Sequence, residues 1–233
     1  MRRPGKTTEI NLRPSRLAAR NRAPTMQNPA LLLVLIAAGL WIAWQWQADR
    51  AAARGVAAEA DGAAATKPGA FPGATDAPAR ATVIAIAGAL ALLALETAGE
   101  FAFGIAREQS RMTWLFAAYS VLSAPVIEEL VFRGWIVVAD RGRALLWMSV
   151  VAASALFALL HPFLWRWDDA GFAFTLTKKG VFSTALLFAG SLWFYVARFA
   201  PWNPRRSLLP CFAAHAAKNA GVVAVKLALG FVG

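Results

Sequence analysis

The chain has 233 residues, 58% of them hydrophobic, and a mean hydropathy of +0.49, which is too apolar for an ordinary soluble domain and fits a polytopic membrane protein. A single cysteine, Cys211, excludes an internal disulfide and any thiolate cluster. The net charge of +11 falls largely in the first 22 residues and in short loops between apolar runs, the pattern of membrane topology and anionic headgroups rather than of a nucleic-acid platform.

Residues 1–28 form a basic tail that includes Arg2, Arg3, Lys6, Arg13, Arg16, Arg20 and Arg22. Residues 29–47 are an apolar run about long enough to span, at ~20 residues per crossing. Its end, WIAWQWQ, reads as an aromatic belt, and the run reads as an uncleaved N-terminal anchor. Residues 48–80 combine Ala, Gly, Pro and scattered charge with almost no large apolar side chains, so a flexible linker is expected.

Residues 81–233 carry five further spans. The first, 81–106, holds Glu96 and Glu100 near its end, either at the interface near Arg107 or reaching Lys218 or Lys226 of the last helix. The second, 113–139, contains Pro125, which is expected to kink it. The third, 143–161, stops at Pro162. An amphipathic loop or re-entrant segment over 162–178 leads to spans at 180–200 and 207–231. The expected fold is therefore all-α: a polytopic transmembrane helix bundle of about six spans with a five-span core. The tail argues for a cytoplasmic N-terminus, while the later loops place more Lys and Arg on the opposite side, so the two topology signals conflict.

Three of these spans carry ionisable or strongly polar residues where hydrocarbon is expected, at roughly 2.5–3.5 kcal/mol for a charge on insertion scales. Glu128, Glu129 and Arg133 lie in APVIEELVFRGW, His161 ends ASALFALLH, and His215 and Asn219 lie in CFAAHAAKNAG. Glu129 and Arg133, at i and i+4, share a helix face and pair. Glu128 is rotated ~100° from Glu129, which leaves it unpaired and able to act as a base. Phe157 and His161 share one face, as do His215 and Asn219. The last two are hydrogen-bond donors that suit a developing oxyanion. Base, orienter, imidazole and donors together suit water attack on an amide carbonyl, with no nucleophilic Ser or Cys.

In that order on successive apolar helices, EExxxR, FxxxH and HxxxN resemble the CAAX-protease and bacteriocin-processing family of intramembrane endopeptidases, which includes the type II CAAX prenyl proteases. The flanking Phe132-Arg133-Gly134 agrees, and the resemblance covers about residues 81–231. It implies that Glu128 and His161 activate water, that His215 and Asn219 hold the oxyanion, and that Glu129 and Arg133 are structural. With about five spans, this module is shorter than the eight-span eukaryotic prenyl proteases, and the loop 162–178 has no counterpart there. A bacterial inner (plasma) membrane is the expected location.

No cofactor is expected. The alternative keeps the fold and places Zn²⁺ on Glu128, His161 and His215, a two-His, one-carboxylate site. Further alternatives are a non-catalytic bacteriocin-immunity or membrane scaffold protein, and a transporter using buried charges as a proton relay. The expected partners are membrane lipids and a protein or peptide substrate, with no nucleic acid.

Overall fold

The computed structural model describes residues 28–59, 71–168 and 171–233; nearly all of the basic tail and residues 60–70 of the expected linker lie outside the described residues. Helices α1 (Pro29–Glu59), α2 (Ala79–Ala102), α3 (Trp114–Leu122) and α4 (Ala124–Glu129) are followed by a π-helical segment (Leu130–Ile136). Helix α5 (Arg143–Leu160), strands β1 (Trp165–Asp168) and β2 (Gly171–Phe174), and helices α6 (Lys178–Phe199) and α7 (Leu209–Ala228) complete the chain. The protein is an all-α polytopic bundle, with one two-stranded antiparallel sheet in the α5–α6 loop.

Among the described residues, five helical stretches are long and apolar enough to cross a membrane: 29–55, 79–102, 114–136, 143–160 and 178–199. Helix α7 is not one of them, although 20 residues at 1.5 Å each would cross. It carries Lys218 and Lys226 besides His215 and Asn219. The bundle absorbs this polarity because α7 is surrounded, packing on α2, α3, α4 and α6. Lys218 meets Glu96 at 3.1 Å, and Lys226 donates to the Ser110 carbonyl at 2.7 Å. Glu96 thus reaches the last helix, as one of the two expected placements has it. Glu100 instead pairs with Lys179 and accepts from Gln109 at 2.6 Å.

Small residues bring the helices together. Ala81, Ala85, Ala89 and Leu93 recur at i+4 and form the buried stripe of α2. Gly88 lies under Trp193, whose indole donates to the Ala85 carbonyl at 2.9 Å.

Two stretches differ from expectation. Helix α1 continues twelve residues past Gln47 into the stretch expected as linker, and it packs on α3 and α4. Trp41 and Trp44 are exposed as a belt requires, but Trp46 is buried, edge-on to Phe212 of α7, with its indole donating to the Pro72 carbonyl. Residues 71–78 also lie on the bundle. Leu208 N–H donates to the Gly73 carbonyl, and a Cβ at Gly134 would stand 2.6 Å from Pro72, so that glycine admits the loop. The anchoring rests on single side chains and close glycine contacts rather than on an apolar run, which is why composition reads as a linker.

Candidate active site

The site begins with a disturbed helix. Pro125 has no N–H to give to the carbonyl four residues back, and the helix breaks at Ser123, between α3 and α4. After Glu129 the backbone widens into the π segment, a form often found at functional sites. The Phe132 carbonyl accepts from the Tyr195 hydroxyl at 2.6 Å, so α6 satisfies a group of this irregular stretch. The sequence signalled the proline kink but not the π turn.

Glu129 and Arg133 are both fully buried, with Arg133 Nη1 3.2 Å from Glu129 Oε1, the expected i,i+4 pair. The pair is a charge contact without hydrogen-bond alignment, because Nη1, Nε and Glu129 Oε2 find no hydrogen-bond partner. The other arm of the guanidinium is well held. Nη2 donates to Ser191 Oγ at 2.7 Å, and Ser191 Oγ donates on to Ser154 Oγ at 3.0 Å. The rings of Phe157, Phe194 and Tyr195 lie 4.7–5.2 Å from the guanidinium carbon, so the cation sits in an aromatic cage.

Glu129 has a second partner that spacing along the chain cannot reveal. Its Oε1 accepts from His215 Nδ1–H on α7 at 2.8 Å. A carboxylate only accepts, so this contact places the proton on Nδ1 and leaves Nε2 as the exchangeable nitrogen. That Nε2 lies 3.8 Å from Glu128 Oε2. His215 therefore bridges the two carboxylates, with Phe194 stacked on its ring at 5.1 Å. Glu128 differs from Glu129 as expected: its side chain is 24% exposed, and Arg133 pairs with Glu129 instead.

His161 ends α5. Residues before proline are driven from helical to extended backbone, and His161 has φ −77° and ψ 129°. Its Nδ1–H donates to the Phe157 carbonyl at 2.8 Å, which again leaves Nε2 as the exchangeable nitrogen. Its ring contacts are Phe157 at 4.8 Å and Phe163 at 6.3 Å, rather than a carboxylate. Phe157 also lies 6.4 Å from His215, so this one ring connects the two imidazoles. Asn219, one turn below His215, donates through Nδ2 to the Ser120 carbonyl of α3 at 2.7 Å. One amide hydrogen remains for another acceptor.

A zinc ion on Glu128, His161 and His215 would need three donors around one point. Among the described residues, no group of three or more His, Cys, Asp or Glu side chains is placed to hold a metal ion. Each imidazole donates Nδ1–H to an oxygen and keeps Nε2 free, as a metal-ligating histidine would, so the obstacle is where the three side chains stand and not the state of their rings. As placed, these residues do not fit a zinc site.

Cys211, one turn before His215, is fully buried and donates its S–H to the Phe194 carbonyl. Two carboxylates of unequal exposure, an imidazole between them and a second imidazole at a helix end thus stand together inside a bundle of apolar helices. A family model described as Type II CAAX prenyl endopeptidase Rce1-like matches residues 110–221, a stretch that includes all six polar residues of the site. Over that stretch, just under half of the chain, the protein is similar to this CAAX-protease-like family, which supports a membrane protease in the general sense. No curated protein and no solved structure matches it.

Proposed function

We propose that the protein is a glutamate-type intramembrane endopeptidase that hydrolyses a peptide bond near the end of a membrane-associated protein or peptide. The observation that carries this reading is His215 between Glu129 at 2.8 Å and Glu128 at 3.8 Å. Glu128, the partly exposed carboxylate, takes a proton from water as the water oxygen attacks the carbonyl carbon. His161, whose Nε2 keeps its lone pair in the neutral ring, assists on the same water. The carbonyl oxygen becomes an oxyanion that Asn219 and an Nε2–H on His215 stabilise. Glu128 then gives its proton to the leaving nitrogen as the C–N bond breaks.

Glu129 has two tasks in this scheme. It neutralises Arg133, and it fixes the ring of His215. The bacterial inner membrane is the proposed location, and candidate substrates are C-terminal tails or leader peptides presented at a bilayer. The test is peptide cleavage by protein reconstituted in vesicles. Glu128→Gln should lower the rate by about 10²-fold or more, with little effect on unfolding because its one charge contact, with His215 Nε2, is long at 3.8 Å and its side chain is partly exposed. A Glu128→Gln protein cleaving at the wild-type rate would overturn the assignment.

A further inference from the structure

The α5–α6 loop is a hairpin in which Trp165 stands opposite Phe174 and Trp167 opposite Phe172. Opposed residues of an antiparallel pair project to one face, and alternate residues share it. Trp165, Trp167, Phe172 and Phe174 therefore form a single aromatic face, with Arg166 and Ala173 on the other. The rings touch: Trp165 and Phe172 are 6.1 Å apart, and Phe172 and Phe174 are 5.0 Å apart. The protein does not cover this face, since Trp167, Phe172 and Phe174 are exposed. A lone two-stranded hairpin is marginal in water, so the face needs cover from outside.

Continuity identifies the cover. The aromatic face extends an outward apolar surface formed by Leu159 and Leu160 of α5, Phe163, and Val181 of α6, all exposed. Between α5 and α6 runs an open groove of about 340 Å³ lined by Ala158, Leu159, Leu164, Val181, Thr184 and Phe188, and Leu164 places it at the hairpin root. Helix α5 ends at Leu160 and α6 starts at Lys178, so the hairpin lies where these two spans leave the hydrocarbon. Arg166 and Lys178 are exposed at that level and complement anionic headgroups. Aromatic rings with a wet edge favour this zone.

We propose that the hairpin docks its aromatic face on the phospholipid bilayer at the headgroup–acyl boundary, with an acyl chain in the α5–α6 groove beneath it. The hairpin root is fastened on both sides of His161. The Trp165 indole donates to the Leu159 carbonyl at 2.7 Å, and Thr175 N–H donates to the Leu164 carbonyl at 2.8 Å. A Cβ at Gly180 would collide with the Phe163 carbonyl, so α6 holds the turn closely. The depth of the hairpin therefore sets the depth of His161. This reading stands independently of the proposed chemistry.

The test uses nitroxide labels on the full-length protein in phosphatidylcholine–phosphatidylglycerol vesicles. Cys211 is buried, so Trp167→Cys, Phe174→Cys and Arg166→Cys can each be labelled selectively. The labels at 167 and 174 should collide with oxygen several-fold more than with a water-soluble nickel chelate, and the label at 166 should show the reverse. Nickel-accessible labels at 167 and 174 would mean a water-facing hairpin and would overturn the proposal. Labels there that are shielded from both reagents and broadened by a second labelled copy would also overturn it, in favour of a protein–protein face.

Discussion

Replacing Arg133 by Met should destabilise the protein severely, and replacing its partner as well should restore most of the loss. The guanidinium is fully buried, and so is the carboxylate 3.2 Å from it. In Arg133→Met, Glu129 keeps only His215 as a partner, and Ser191 Oγ loses its donor. Breaking a buried pair on one side costs about 3–5 kcal/mol, whereas apolar replacement of both partners is often neutral. Glu129→Gln retains an oxygen that can accept from His215 Nδ1–H and removes the stranded charge. The double variant should therefore recover most of those 3–5 kcal/mol while remaining impaired in cleavage. Equilibrium unfolding in mixed micelles measures all four corners of the cycle. An Arg133→Met protein as stable as wild type but inactive would refute this reasoning and give Arg133 a direct part in the chemistry. A double variant no more stable than Arg133→Met would show that the cage of rings and serines, not the ion pair, holds the helices.

Asn219→Ala should cut the cleavage rate by about 10²-fold if its free amide hydrogen meets the oxyanion, and wild-type activity should persist in chelator. A mild Asn219→Ala defect with zinc-restorable loss on chelation would contradict both. Asp76 is held at about 2, below the ordinary 3.8, chiefly by the hydrogen bond from Arg54 and further by Arg50. A lowered carboxylate stabilises above its ordinary value and loses that effect as pH falls through the folded value. The protection of the Leu208 amide against hydrogen exchange, relative to a free amide at the same pH, should thus hold from neutrality to about pH 4 and fall toward pH 2, since that amide donates to the Gly73 carbonyl. Trp46→Ala should cost about 3–5 kcal/mol, read by the same unfolding assay, because the indole is buried against Phe212. By the same logic, a chain lacking residues 1–80 should be less stable than the whole, and equal stability would make α1 a simple tether.

The spans and the Glu129–Arg133 pair were legible because both are local. Runs of apolar residues and an i,i+4 spacing are visible in one dimension, and so is the stop imposed by Pro162. The reach of Glu96 to Lys218 was one of two placements open in the sequence, since an unpaired charge needs either the interface or a partner in the bundle. The contact of Glu129 with His215 was not legible: it joins residues 86 apart, and no periodicity fixes how two helices are rotated against each other. Asn219 shows the same limit, with its nearest acceptor a backbone carbonyl of α3. The docking of α1 was hidden by composition. Its alanines, glycines and charges resemble a linker, while the anchoring falls to single residues such as Trp46 and to Gly39, against which Ser123 packs. The hairpin was hidden by its shortness, four residues per strand.

The enclosure of α7 has a consequence for biogenesis. Alone in lipid, its Lys218 and Lys226 would each oppose insertion by roughly 2.5–3.5 kcal/mol. Glu96 on α2 and the Ser110 carbonyl remove that penalty only once they stand in place. Translation delivers α2 more than a hundred residues earlier, so the acceptor half exists before the lysines leave the ribosome. The last helix is then drawn in by its ion pair and hydrogen bonds rather than pushed in by its hydropathy. The same event carries His215 to Glu129, which couples completion of the membrane topology to assembly of the candidate site. Variants at Glu96 should accordingly appear first as unfinished insertion, before any defect in chemistry can be measured.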